Sequence, residues 1–261
     1  MVCLLVGCAT TGPGGKQSLI IIPSSQEVSI GAGMAEQVEA SETILTDSVW
    51  QNYLNEVGQK IAAGCDRRDI EYHFRVIESD QINAFAAPGG YIYFYTGLLR
   101  EMQTEGEMAA VIAHEISHVV ARHGVKRLQT VLGVAAAYDL VLGGKDSQVL
   151  EVAVGLGMNL IFSKYSRDNE READSYGIHY MVKAGYDPQG ALGMFDRLAA
   201  LGGAGHGGVF EGLMSSHPDT QERIANARTQ IAEMQPLRSG LTDGRTRYQQ
   251  MLKRLPAKKK P

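Results

Sequence analysis

The chain has 261 residues, 44% of them hydrophobic and 21% charged, which suffices for one large domain or two small ones with a true core. A formal charge of -4, a pI near 6.0 and the lack of a basic stripe with interleaved aromatics argue against nucleic-acid binding. Three cysteines, Cys3, Cys8 and Cys65, are too few for a disulfide framework, and no internal repeat points to a repeat-built interaction domain.

At the start, Leu5-Val6-Gly7-Cys8 resembles the lipobox of bacterial lipoproteins, which is cleaved before its cysteine and lipidated there. This predicts a lipid anchor at Cys8 and residence in a bacterial periplasm, at the outer membrane. No Lys or Arg precedes the apolar run, which is shorter than a normal signal-peptide core; a start codon further upstream would explain both. The alternative is an apolar N-terminus of a cytoplasmic protein. Thr10 to Ser18, rich in Gly, Thr and Ser, reads as a flexible tether, so residues 1–24 form a lipoprotein-like N-terminus and tether.

Residues 25–234 read as the main domain. Leu19 to Pro23 is either a short strand or a segment packed on it. From Ser25 to Ala63 the pattern predicts helix, with Trp50, Tyr53, Leu54, Val57 and Ile61 on one apolar stripe. Tyr72 to Ile77 alternates as a strand; His73 within it is read as structural. Asn83-Ala84-Phe85-Ala86-Ala87 and Tyr91 to Tyr95 flank Pro88-Gly89-Gly90, which predicts a β-hairpin. Small residues and Pro88 in its first arm suit an edge strand that could pair with an extended peptide, unless that edge is covered.

Thr104-Glu105-Gly106-Glu107 has the form of a capping box, followed by Met108, Val111, Ile112, Ile116, Val119 and Val120 at helical spacing, with Gly124 as the stop after His123. His114-Glu115-Ile116-Ser117-His118 lies on this helix. Four residues turn through about 400°, so both imidazoles leave one face and can grip one ion. Imidazole suits Zn²⁺, and Glu115 beside the first ligand is placed to take a proton from zinc-bound water. The competing reading is a surface helix with two ordinary histidines.

Val125 to Leu142 and Val149 to Phe162 are apolar runs parted by Gly143 to Ser147. Both fall short of the roughly 20 residues that span a bilayer, so they predict a packed helical pair beside the site, with a membrane-dipping lid as the alternative. Ser166 then caps a helix to Gly185 on which Glu170 and Asp174, four apart, share a face. Glu170 could complete a two-His, one-Glu zinc site, and Asp174 could accept from the far nitrogen of a ligand imidazole; Glu172 points about 200° away. Asp187-Pro188 opens a helix to Leu201, His206 sits in a glycine-rich loop, and Ser216-His217-Pro218 precedes a helix from Thr220 to Met234. Residues 235–261 read as a polar C-terminal segment, a peripheral helix or tail ending in the solvated Lys258-Lys259-Lys260.

Taken together, Asn83 to Ala86 with Pro88 to Gly90, His114 to His118, Ser166-Arg167 with Glu170, Ala173 and Asp174, and Ser216-His217-Pro218 with Arg223-Ile224 resemble the HtpX and CAAX-prenyl-endopeptidase family of zinc metallopeptidases, and within it the periplasmic lipoprotein members. The resemblance implies an α+β, mostly helical zincin-like domain with a small β-sheet or hairpin at the active-site edge. It implies one Zn²⁺ per chain on His114, His118 and Glu170, Glu115 as general base, and Asp174 behind the ligands. His217 and Arg223 match positions near the family's active site, where they stabilise the oxyanion or gate the cleft. Asn83, Ala84, Phe85 and Ala86 would hold substrate. The implied activity is zinc-dependent endopeptidase cleavage of misfolded or unassembled envelope proteins; the alternative is a zinc-stabilised, non-cleaving, chaperone-like or binding lipoprotein.

Overall fold

Tyr91–Tyr95 is the strand from which the fold is built: Ile92 and Phe94 enter one apolar cluster while Tyr93 and Tyr95 enter another. This period-2 division puts a core on each face of the sheet. In the computed structural model, which describes residues 8–10, 17–143, 148–203, 217 and 220–258, the strands are β1 (Cys8–Thr10), β2 (Gln17–Leu19), β3 (His73–Ile77), β4 (Ala84–Ala87) and β5 (Tyr91–Tyr95). β5 is central in a three-stranded sheet, parallel to β3 and antiparallel to β4, with Ala87 opposite Tyr91. Pro88–Gly90 closes the expected hairpin with a 3-10 turn in which Gly89 has φ 77°, a backbone conformation that favours glycine.

The helices are α1 (Ser24–Ser41), α2 (Ser48–Ala62), α3 (Thr96–Glu101), α4 (Glu105–Val120), α5 (His123–Gly143), α6 (Gln148–Ile161), α7 (Arg167–Lys183), α8 (Gln189–Gly203), α9 (Thr220–Glu233) and α10 (Arg245–Leu252). One sheet face packs with α2, α4, α7, α8, α9 and α10, the other with α1, α5 and α6. The fold is thus mostly helical, α+β, with a small sheet. Among the described residues no helix is long and apolar enough to cross a membrane.

Two boundaries differ from the sequence reading. The helix expected over Ser25 to Ala63 is two, because Thr43 to Leu45 add to the edge of β3: Leu45 N–H donates to Val76 O at 2.8 Å and Glu78 N–H to Thr43 O at 2.7 Å. Asp47 then starts α2, its carboxylate accepting from Val49 N–H and Trp50 N–H. The zinc-helix candidate α4 ends at Val120, before Gly124, because Arg122 turns into the left-handed region at φ 54°. That conformation is held by the Arg122 side chain, which donates to Glu27 Oε2 at 2.8 Å and to Ile22 O at 2.6 Å.

Glu27 is buried where four segments meet. It accepts from Arg67 Nη1 and Nη2 at 2.9 and 2.8 Å, from Arg122, and from Gly89 N–H at 3.2 Å. Arg67 also donates to Val119 O at 3.0 Å. The knot therefore ties α1, the end of α4 and the β4–β5 turn together. At the other end of the chain, Tyr248 of α10 is fully buried against Trp50 and donates to Leu99 O at 2.7 Å, while Trp50 Nε1 donates to Met251 O at 3.0 Å. The segment after 234 is a contributor to the core, although its sequence is polar.

Cys8–Thr10 and Gln17–Leu19 pair as an antiparallel ribbon; the rest of the expected tether, with Cys3 and Leu5 to Gly7, lies outside the described residues. So do 144–147, His206 and its loop, Ser216 and Pro218, and Lys259-Lys260.

Candidate metal centre

Thr104 begins α4: its Oγ1 accepts from Glu107 N–H at 3.0 Å, and Glu107 Oε2 accepts from Gln103 N–H at 2.7 Å. Such a cap stabilises a helix by about 1 kcal/mol and fixes its register. All 16 residues of α4 are buried, so the helix is held on every side by other elements. His114 and His118 leave it one turn apart, with Nε2 atoms 3.1 Å from each other. α7 comes close enough to supply Glu170 because Gly177 has no side chain; a Cβ there would lie 3.1 Å from His114 N. Glu170 Oε1 is 3.4 Å from His118 Nε2, and Oε2 is 3.6 Å from His114 Nε2.

A fourth donor joins them. His217 Nδ1 lies 2.9 Å from Glu170 Oε1 and 3.2 Å from His114 Nε2, and one ligating atom from each of His114, His118, Glu170 and His217 falls within 4.8 Å of the others. Three buried imidazoles aimed at one another across a buried carboxylate form a donor set that suits Zn²⁺ and has little other use for its converging lone pairs. Burial alone would raise the Glu170 carboxyl, but the neighbouring His217, with hydrogen bonds from His118 and His217, holds it well below the usual range, hence anionic. Burial keeps His118 neutral, its value well below that of a free imidazole.

Glu115 points into the same place. It is buried, its Oε1 has no hydrogen-bond partner among the described residues, and His217 Nε2 stands 3.7 Å away. Burial raises its carboxyl above the ordinary value despite the opposing pull of His217 and His114. A carboxylate so placed takes a proton more readily.

Behind the donors lie two sets of supports. His114 Nδ1 is 2.9 Å from Asp174 Oδ1, and Arg223 grips Asp174 through Nε at 2.6 Å and Nη2 at 2.7 Å. Burial works against the Asp174 charge, yet Arg223 and His114 lower its carboxyl to about 2. Arg223 Nη1 also lies 3.1 Å from Glu170 Oε2 and donates to His217 O at 3.4 Å, so its guanidinium is turned to the carboxylates. On the other side, His118 Nδ1 meets His123 Nδ1 at 2.9 Å, and His123 Nε2 meets Glu172 Oε2 at 3.0 Å. Tyr165 stacks on the His118 ring with centroids 4.1 Å apart, and Arg127 covers its other side at 4.2 Å.

The sequence reading gave no role to His123, Glu172 or Tyr165. His123 is five residues past His118, about 140° off on a continuous helix, and reaches it only because α4 breaks at Arg122. Of the four residues expected to hold substrate, Asn83, Ala84 and Phe85 are buried, and Phe85 stacks on Tyr93 at 5.0 Å, so their side chains are unavailable. What β4 offers is its outer edge. Tyr95 N–H donates to Asn83 O, so Asn83, Phe85 and Ala87 are the bonded positions and the main-chain groups of Ala84 and Ala86 face away from β5. Ala86 and Pro88 line one recess with His118 and Tyr165.

Residues 49–231 match the sequence profile of peptidase family M48. A β-barrel assembly-enhancing protease of Yersinia pestis is 29% identical over 220 residues, 81% of this chain and 45% of its own length. Metalloprotease YcaL of Escherichia coli (strain K12) is 26% identical over 243 residues, 88% of this chain and 93% of its own. Mitochondrial metalloendopeptidase OMA1 of Schizosaccharomyces pombe is 32% identical over 188 residues, 70% of this chain and 53% of its own. The chain spans about half the length of the β-barrel assembly-enhancing relatives it matches. It belongs to peptidase family M48.

Proposed function

We propose that this member of peptidase family M48 is a zinc-dependent endopeptidase. The observation that carries the reading is the buried Glu115 carboxylate, whose Oε1 accepts no hydrogen bond among the described residues, beside the converging donors of His114, His118 and Glu170. Those three residues would hold one Zn²⁺. When bound, the ion supplies Lewis acidity, which lowers the pKa of a water and polarises a carbonyl. Glu115 would accept the proton of the attacking water at Oε1 and return it to the leaving amine. Asp174 and Arg223 position His114 and Glu170. The outward main-chain groups of Ala86, the partly exposed position of β4, would pair with an extended substrate, which gives little selectivity for side chains.

His217 is the residue on which two readings divide. As a fourth donor it closes the site, and a closed site of four protein ligands favours a non-cleaving, zinc-stabilised binding protein. Glu115 opposes that alternative, since a structural site has no need of a base. We therefore read His217 as a gate that leaves the donor set when substrate enters. Protein or peptide substrates fit the edge strand, and the name of the relative from Yersinia pestis supports misfolded or unassembled envelope proteins as their class. The lipobox-like Leu5 to Cys8 supports periplasmic residence with a lipid at Cys8; intact mass of protein taken from membranes tests it, and an unlipidated Cys8 removes that part.

The deciding experiment measures zinc content and casein cleavage for wild type and Glu115→Gln. One zinc in both with cleavage only in wild type is the expected result. Zinc in both and cleavage in neither, also after His217→Ala, would favour the binding protein.

A further inference from the structure

We propose that His123 and Glu172 form a positioning relay for the ligand His118, one that sets how tightly the metal is held. The inference rests on the zinc reading above. A metal-bound imidazole uses one ring nitrogen for the ion and donates a hydrogen bond from the other, and that bond fixes its tautomer and plane. His118 turns Nε2 toward His114 and Glu170, so Nδ1 is the nitrogen left to donate. Its partner is unusual: a second imidazole, His123 Nδ1, at 2.9 Å.

That contact works only if one of the two facing nitrogens lacks a proton. Glu172 decides which. Its Oε2 lies 3.0 Å from His123 Nε2, so the carboxylate keeps the His123 proton on Nε2 and leaves Nδ1 as the acceptor. His118 Nδ1–H then donates to His123, and Nε2 of His118 is free to face the metal. His123 is 2% exposed and its ring sits 4.9 Å from that of His118, edge to face, so it cannot turn away to another partner without repacking. The two ligand histidines are thus supported by different chemistry. His114 leans directly on an anion, Asp174, whereas His118 receives its negative support through a neutral ring. Glu172 itself is no ligand, because its carboxylate is turned to the relay.

The test is zinc affinity, measured by competition with a chelating dye, for the full chain and three variants, together with the melting temperature of each in EDTA. His123→Leu keeps the bulk and removes the acceptor; we expect zinc to bind about 10- to 100-fold more weakly. His123→Asn sets a carbonyl oxygen near the place of Nδ1 and is expected to recover most of that loss. Glu172→Gln should fall between, since an amide can still accept but brings no charge. Metal-free melting temperatures should agree within a few degrees. Wild-type affinity in His123→Leu would overturn the relay, as would equal losses in the Leu and Asn variants. So would a loss of affinity matched by a fall in the metal-free melting temperature, which would reduce His123 to packing. If wild type itself binds no zinc, the zinc reading fails instead.

Discussion

Replacing Arg223 with methionine removes the cation that faces two buried carboxylates while keeping most of the side-chain volume. The guanidinium lies 2.6 and 2.7 Å from the oxygens of Asp174 and 3.1 Å from Glu170, and it is itself buried against Phe195 at 5.1 Å. Breaking a buried pair by removing one partner costs about 3–5 kcal/mol, because the remaining charge is left without compensation. Against a total stability of about 5–15 kcal/mol, that is a large share. Arg223→Lys keeps the charge but loses the two-pronged geometry and should cost less. The double variant Asp174→Asn, Arg223→Met removes the stranded charge on Asp174 and should recover part of the single loss. Urea denaturation in EDTA at pH 7, followed by circular dichroism, gives the stabilities of wild type, these three variants and Asp174→Asn alone. A loss below about 1 kcal/mol for Arg223→Met, or a double variant equal to the sum of the singles, would refute the account of Arg223 as the counter-charge of the site.

Three other outcomes follow from the same geometry. Ala86→Pro removes an outward main-chain N–H without breaking the β4–β5 ladder, and should lower kcat/KM on casein by roughly two- to tenfold, the worth of one hydrogen bond; an unchanged value would exclude pairing at that edge. His217→Ala should raise casein cleavage if His217 is a gate, whereas a fall on the order of a hundredfold would make it an oxyanion donor. Asp174 has a carboxyl at about 2 in the fold against 3.8 when free. Because the folded value is the lower one, its stabilisation is complete above pH 4 and disappears as the pH falls through 2, a change of about 2 kcal/mol in EDTA. Wild type and Asp174→Asn should therefore converge in stability as the pH drops over that window, and parallel curves would contradict it.

The parts that were legible in the sequence are those set by local chemistry. Thr104 and Glu107 announce a helix start, four-residue spacing puts His114 with His118 and Glu170 with Asp174 on shared faces, and Pro88-Gly89-Gly90 marks the hairpin. What stayed hidden depends on contacts between distant segments. Ile44 leaves the helical pattern because Ile77 offers it a strand partner, and no property of residues 42–47 alone shows that. Arg122 adopts a conformation costly for a side-chain-bearing residue only because Glu27, 95 positions away, meets its guanidinium. His123 meets His118 as a consequence of that turn. The polar C-terminal segment buries Tyr248 because a slot beside Trp50 and Tyr53 receives it, and the slot exists only in three dimensions.

The Glu27 knot and the Tyr248 plug both come from outside residues 49–231, the stretch that matches the family. That stretch is a unit of ancestry, yet its core is completed by residues on either side of it. Cut out and expressed alone, it would keep Arg67 and Arg122 as two facing cations with their shared anion gone, and would open an aromatic-walled hole at Trp50. Boundaries for producing or transplanting this peptidase unit are therefore better drawn from Leu19, so that buried Ile20 and Ile22 are kept, to Pro256 than from the matched span.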